Sequence, residues 1–212
     1  MSLEALDRYL VEVQEGRRVV GRLERLAVER HARDLERGAA RGLRFDRERA
    51  AHAMRFFRFL KHSKGEWAGK AIALEGWQAF LVGSTFGWIR SDGTRRFRVS
   101  LCFVARKNGK STIGAGVGLY LLVADEEPGA EVYTAATKRD QARIVHAEAV
   151  RMVKASPALL RRIRSYKDNL HVPGTASKYE PLGADADTLD GLNIHGAIID
   201  ELHAQRTASS GT

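Results

Sequence analysis

Two stretches of this 212-residue chain carry side chains that could act together on a phosphoanhydride: Val104-Ala105-Arg106-Lys107-Asn108-Gly109-Lys110-Ser111-Thr112 and Ile198-Ile199-Asp200-Glu201. In the first, Gly109 lets the backbone come close to a phosphate, Lys110 supplies an ammonium for its outer oxygens, and Ser111 offers a hydroxyl to Mg²⁺. The backbone N–H groups that open a following helix add the positive end of its dipole. The loop pattern G-x-x-x-x-G-K-[ST] asks for glycine where this chain has Val104, and Gly-Lys-Ser also occurs in ordinary basic loops. In the second stretch an apolar strand ends in two adjacent carboxylates. Beside a phosphate loop, the first would orient a Mg²⁺ shell and the second would position or deprotonate a water. Apolar-Asp-Glu says little by itself; its weight comes from following the loop with one β-α unit between. His195 and His203 flank the acids and, lacking a third ligand at metal spacing, read as structural or exposed rather than as a zinc site.

The elements around these stretches are those of a strand, loop and helix. Val99 through Ala105 is an apolar run expected to be the strand before the loop, and Thr112 to Val123 reads as the helix after it. Glu127-Pro128-Gly129 breaks the chain, Glu131 to Ala136 reads as a buried strand, and Thr137-Lys138-Arg139-Asp140 opens a helix to about Ala155. The order β-α-β-α predicts a parallel sheet with crossover helices. Ser156-Pro157 closes that helix, Leu159 to Arg164 reads as a short basic helix, and Leu170-His171-Val172 with Tyr179 to Leu182 as a hairpin at the sheet margin. Arg161, Arg162 and Arg164 suit a contact with DNA or a neighbouring subunit, although an exposed basic helix end is the commoner explanation.

Upstream, Ser2 to about Gly38 is rich in Arg, Glu, Ala and Leu at rough helical spacing, with alternating charge signs that suit solvated helix faces. Asp46 is a candidate N-cap for a helix whose apolar face is Ala50, Ala53, Met54, Phe57 and Leu60; Phe56, Phe57 and Phe59 read as core rather than as base-stacking platforms. Trp77-Gln78 begins another apolar segment. A glutamine amide here can read an adenine edge through one donor and one acceptor, or simply lie exposed on an amphipathic helix. Trp88-Ile89-Arg90 and Arg95 to Ser100 read as a hairpin around Asp92-Gly93.

A net charge of +9 and a pI near 10.0 point to a polyanionic partner, and 44% hydrophobic residues with only 4 prolines exclude a disordered chain. The single cysteine, Cys102, reads as a small core residue, which suits a reducing compartment. The first residues mix both charge signs, unlike a signal peptide, and no apolar stretch approaches the roughly 18 residues of a membrane span, so a soluble intracellular protein is expected.

Taken together, Trp77-Gln78, the Val104–Thr112 loop, Ala135-Ala136-Thr137-Lys138-Arg139-Asp140-Gln141-Ala142 and Ile198 to Ala204 resemble the large terminase subunit of tailed bacteriophages over roughly residues 26–204. That resemblance implies an α/β P-loop NTPase fold of the additional-strand type, with a mainly parallel sheet flanked by helices and an N-terminal helical extension. It implies domains at 1–62 (helical) and 63–212 (P-loop ATPase, incomplete at its C-terminal end). The activity implied is ATP hydrolysis, with Mg²⁺, that drives double-stranded DNA into a capsid. The family's loop lacks the first glycine and carries a basic residue near its start, so Val104 is an expected departure. By the same resemblance Arg106 senses or stabilises the γ-phosphate, and Lys110 and Ser111 hold phosphate and Mg²⁺. Asp200 is the Walker B acid, Glu201 the catalytic carboxylate and Gln78, beside Trp77, the adenine reader, with Lys107, Asn108, Gly109 and Thr112 completing the nucleotide loop. The implied partners are double-stranded DNA, the portal protein, the small terminase subunit and other copies in a ring on the capsid, with no membrane, in the cytoplasm of a bacterial host. A full-length relative continues beyond Walker B into further strands and a nuclease domain, so the chain is expected to be a fragment or a truncated product. Two alternatives follow: a non-catalytic fragment that binds DNA or terminase subunits, and a helicase-type ATPase, which would need motifs after Walker B.

Overall fold

A computed structural model of the chain describes residues 3–136, 139–182 and 191–201. It divides into two compact units, Met1–Arg58 with Ala73–Phe103, and Phe59–Ile72 with Val104–Thr212.

The first unit is mainly helical: α1 (Glu4–Gln14), α2 (Arg22–Arg37), α3 (Arg47–Phe56) and α4 (Gly76–Gly87). Leu6, Tyr9, Leu10 and Val13 recur at helical spacing and form the buried face of α1. That face lies against α4 so closely that a Cβ on Gly83 would stand 2.4 Å from Leu6 Cδ1 and 3.3 Å from Met54 Sδ. Asp46 caps α3 as expected, accepting the N–H groups of Glu48 and Arg49 at 3.1 and 3.0 Å, and the Arg49 N–H contributes most to holding its carboxyl below the usual range. Phe56 and Phe57 are core residues, whereas Phe59 is exposed. A small ribbon joins β1 (Leu43–Phe45) antiparallel to β2 (Trp88–Arg90). The expected hairpin therefore forms only in part. Gly93 makes the turn at φ +82° and Ile89 bridges Arg95, but the strand partner of Trp88 is Phe45, which adds aromatic contact at 5.3 Å.

The second unit holds a five-stranded sheet in the order β4 (Arg164–Ser165), β5 (Leu170–Val172), β6 (Ser177–Pro181), β3 (Glu131–Ala135), β7 (Ile194–Ile199). β3 runs parallel to both β6 and β7, while β4, β5 and β6 are joined antiparallel. The sheet is thus mixed, with its parallel half at the β3–β7 end. The expected Leu170–Val172 hairpin is present, but β6 continues inward to β3 and the margin is β4. The expected helix from Leu159 to Arg164 is shorter and earlier, α7 (Pro157–Leu160), because Arg164 joins β4. Helices α5 (Lys110–Val123) and α6 (Arg139–Ala155) pack on each other and on β3 and β6, burying Leu119, Leu122, Val145, Ala149 and Met152.

The apolar run before the loop is the main departure. Residues 99–105 form no strand, and Val99, Leu101 and Phe103 are 84%, 64% and 82% exposed. The run is apolar, but a strand exists only where a neighbour takes up its backbone N–H and C=O groups, and no strand among the described residues runs beside this stretch. Cys102 is half-buried rather than core for the same reason.

Candidate functional site

Helix α5 begins at the expected loop. Gly109 precedes it at φ 76°, in the left-handed region that favours glycine, and no side chain caps the helix start. Its first N–H groups therefore lack intrahelical acceptors and carry the positive end of the helix dipole. Lys107 is also left-handed, at φ 67°, and the Asn108 side-chain amide donates to the carbonyls of Ala105 and Arg106 at 3.2 and 3.3 Å, closing the turn on itself. Left-handed residues thus stand on both sides of Asn108, and turns with such residues can aim backbone N–H groups at an anion. Arg106, Lys107 and Asn108 are exposed on the turn, while Lys110, Ser111 and Thr112 are half-buried at its base.

The acidic pair lies beyond the carboxyl end of β7. Ile199 is in register with Ala135 of β3, and Asp200 prolongs the pairing by donating its N–H to the Ala135 carbonyl at 3.0 Å. Because β3 and β7 are parallel, Asp200 and the carboxyl end of β3 lie on the same edge, where open α/β sheets place their ligands. Glu201 then turns out of the sheet at φ 51°, with its N–H held by Asp200 Oδ1 at 3.0 Å. A glutamate in that conformation costs about 1–3 kcal/mol, and such strain is found where a side chain must be aimed. Here it is aimed at the loop: Glu201 Oε1 stands 3.7 Å from Lys110 Nζ, both side chains about one-third exposed at 31%. The two stretches singled out by residue type therefore meet in one unit.

Close packing sets this meeting. A Cβ on Gly114 would lie 3.1 Å from Ile198 Cγ2, two residues before Asp200, and one on Gly196 would lie 2.5 Å from Leu121 Cδ1, so missing side chains on both elements bring α5 down on β7. At the far ends of the same two elements, His195 Nε2 meets Asp125 Oδ2 at 2.7 Å with both side chains 14% exposed. His195 is structural, as its spacing suggested, but its partner was not legible, since Asp125 lies 70 residues away in sequence.

The other candidates stand as follows. Trp77 and Gln78 open α4 in the first unit, and Gln78 Oε1 accepts the Glu75 N–H at 2.9 Å in a capping box, which leaves that oxygen one further lone pair. Arg161, Arg162 and Arg164 are exposed around buried Ile163, with Tyr166 61% exposed beside them. Thr137, Lys138 and His203 lie outside the described residues, as do the side chains of Asp140 and Gln141. No helix among the described residues is long and apolar enough to cross a membrane.

Comparison with known proteins gives one family. A family model described as the terminase large subunit, ATPase domain, matches residues 76–209. The chain is 30% identical over 148 residues to the terminase large subunit of Enterobacteria phage HK97, an alignment that takes in 68% of this chain and 28% of that protein. The crystal structure of the HK97 bacteriophage large terminase superposes with a TM-score of 0.60 at 26% identity, covering 74% of this chain and 32% of the other. The chain thus spans about a third or less of the length of these relatives.

Proposed function

The chain belongs to the family of terminase large subunit ATPase domains, and from that premise we propose that it is the ATP-hydrolysing part of a motor that moves double-stranded DNA into a phage capsid. The observation that carries the reading is the approach of Lys110 Nζ to Glu201 Oε1 at 3.7 Å, which joins the phosphate loop to the acidic pair. The residues suit an Mg²⁺-bound triphosphate: an uncapped helix start with a left-handed glycine before it, an ammonium, a hydroxyl and two carboxylates.

In this reading the first N–H groups of α5 and Lys110 hold the phosphates, and Ser111 and Asp200 would hold the metal. A bound Mg²⁺ supplies charge neutralisation to the transferring phosphoryl group. Glu201 orients the attacking water and takes its proton, and the left-handed turn fixed by Asp200 Oδ1 keeps its carboxylate on the loop side of the sheet. Arg106, exposed on the turn, would reach the outermost phosphate, with Lys107, Asn108 and Thr112 completing the cradle. Trp77 and Gln78 would take the adenine, Gln78 through its amide NH2 and the second lone pair of its oxygen. The additional-strand arrangement belongs to the same proposal, supported by the apolar β7 at the sheet edge. Duplex DNA, a portal, a small subunit and a ring of copies are the partners this family membership suggests, and the charge of +9 fits the first of them.

The test is a thermal melt and a phosphate-release assay with Mg·ATP. A ligand that binds only the folded state adds about 2.7 kcal/mol at a hundredfold excess over Kd, so a clear upward shift with slow phosphate release is expected. No shift at saturating Mg·ATP, together with salt-sensitive DNA binding, would replace this reading by that of a non-catalytic DNA-binding module.

A further inference from the structure

Residues 161–167, Arg-Arg-Ile-Arg-Ser-Tyr-Lys, hold four cations and no acid, a density that no other seven-residue window of the chain reaches. Arg161, Arg162, Arg164 and Lys167 are all exposed, as are Ser165 and Tyr166 between them. Elsewhere arginines meet carboxylates, as Arg47 meets Asp7 and Arg151 meets Glu148, each at 2.7 Å. None of these four cations has a carboxylate partner among the described residues, and the acid that follows them, Asp168, is taken by Arg143 at 3.1 Å. The segment is fixed in place. Ile163 is buried at its middle, and the N–H groups of Ile163 and Arg162 bond the Leu159 carbonyl at 2.8 and 2.9 Å. Arg164 and Ser165 pair with His171 and Leu170, and the Tyr166 N–H meets the Asn169 carbonyl at 2.8 Å. Four like charges held this close repel one another.

Two structural roles ask for fewer charges than this. Helix α7 is a single turn of four residues, whose carbonyl end one cation such as Arg161 answers. β4 is the sheet margin, where a charge discourages pairing with another chain, but a strand of two residues is already too short to template one. Neither role uses Arg162, Lys167 or the exposed Tyr166. We propose that residues 161–167 form a contact surface for the sugar-phosphate backbone of duplex DNA, which rests on the reading of duplex DNA as this chain's partner. Three of the four cations are arginines, whose planar forks take phosphate oxygens in pairs. The Tyr166 hydroxyl adds a neutral donor of the kind that sets register on a duplex. Arg164 and Tyr166 lie two residues apart in an extended segment, about 6.6–6.8 Å along the chain. An exposed row of donors follows a polymer, whereas a small anion needs donors that converge. Contacts of this kind read no base edge, so binding is independent of sequence and falls with salt.

The experiment measures binding of the full chain to a fluorescent DNA duplex by anisotropy at several salt concentrations. Arg161, Arg162 and Arg164 are changed together to glutamine and compared with a control in which Arg22, Arg25 and Arg33, exposed on α2, are changed likewise; each triple lowers the charge of +9 by three. The first triple should bind at least about tenfold more weakly at 100 mM salt, with a log-log slope smaller by about 2.7, three phosphates at 0.9 each, while the control loses less than half of that slope. A second variant, Arg161→Gln with Lys167→Gln, leaves β4 untouched and should lower the slope by about 1.8. Equal losses in the two triples would show that binding follows net charge, and an unchanged slope in either patch variant would show that the duplex lies elsewhere; both overturn the surface and leave the DNA reading standing. Wild-type chain with no salt-sensitive binding ends that reading and the surface with it. Displacement of the duplex by poly-glutamate at equal charge concentration would assign the patch to a carboxylate-bearing protein and overturn it as a DNA contact.

Discussion

Replacing Lys110 by alanine separates what the loop does for the fold from what it does for a ligand. Without nucleotide, the partner of Lys110 is Glu201 at 3.7 Å, and each side chain is 31% exposed. An ion pair that wet contributes at most about 1 kcal/mol, and a loss of that size lowers Tm by about 2–4 °C in a chain this long. The first turn of α5 does not depend on the ammonium, since the Ile113 N–H already bonds the Gly109 carbonyl at 2.9 Å. Towards a triphosphate the same ammonium makes charge-assisted hydrogen bonds worth about 1.5–3 kcal/mol, which is roughly a 10- to 150-fold change in affinity. Lys110→Ala should therefore melt within a few degrees of the wild type and bind Mg·ATP at least tenfold more weakly by calorimetry. Unchanged affinity, or a stability loss of several kcal/mol with binding intact, would show that Lys110 is a structural residue and refute the reasoning.

Acidification should weaken the first unit through His31. Its pKa is about 4 folded against 6.5 unfolded, so the unfolded chain binds more protons between those values and stability, complete above pH 6.5, falls as pH drops towards 4. The full step is of the order of 3 kcal/mol, and His31→Gln should flatten the difference in urea-unfolding free energy across that window; a parallel pH profile in the variant would contradict it. Gly118→Ala places a Cβ 2.7 Å from the fully buried Tyr179 ring and should cost about 1–3 kcal/mol by overpacking, read by denaturant unfolding, whereas a neutral result would mean that α5 is free to move on the sheet. If the exposed trio Arg161, Arg162 and Arg164 binds duplex backbone, changing all three to glutamine should lower the log-log salt slope of DNA binding by about 0.9 for each phosphate that is no longer neutralised, and an unchanged slope would exclude that surface.

What the sequence made legible follows from what is local. Gly109, Lys110, Asp200 and Glu201 stand out by residue type, and the Asp46 cap and the helical spacing of Leu6 and Leu10 are local signals, whereas Leu23, Leu26 and Leu35 at similar spacing are exposed. The meeting of Lys110 with Glu201 was expected on residue type and order, but it comes about through the packing of α5 on β7, since no strand among the described residues leads into the loop. Pairing was not legible. The run at 99–105 is apolar but has no described strand beside it, and β2 takes β1 as a strand partner in addition to the residues just after its turn. Nor were contacts that join remote parts of the chain: Asp125 with His195, Gly114 under Ile198, and the Trp88 indole on His31 depend on where elements pack. Of these, only the glycines leave a trace in sequence, as unusually small residues in an otherwise apolar helix.

The carboxylate at position 201 offers the sharpest trial. Glu201→Gln keeps the shape of the side chain and removes the base, so Mg·ATP should bind as it does to the wild type while phosphate release falls by about 10²- to 10⁴-fold, the usual worth of a positioned general base. Release at the wild-type rate from a variant that still binds Mg·ATP would mean that the acidic pair after β7 does not act on the nucleotide held by the loop.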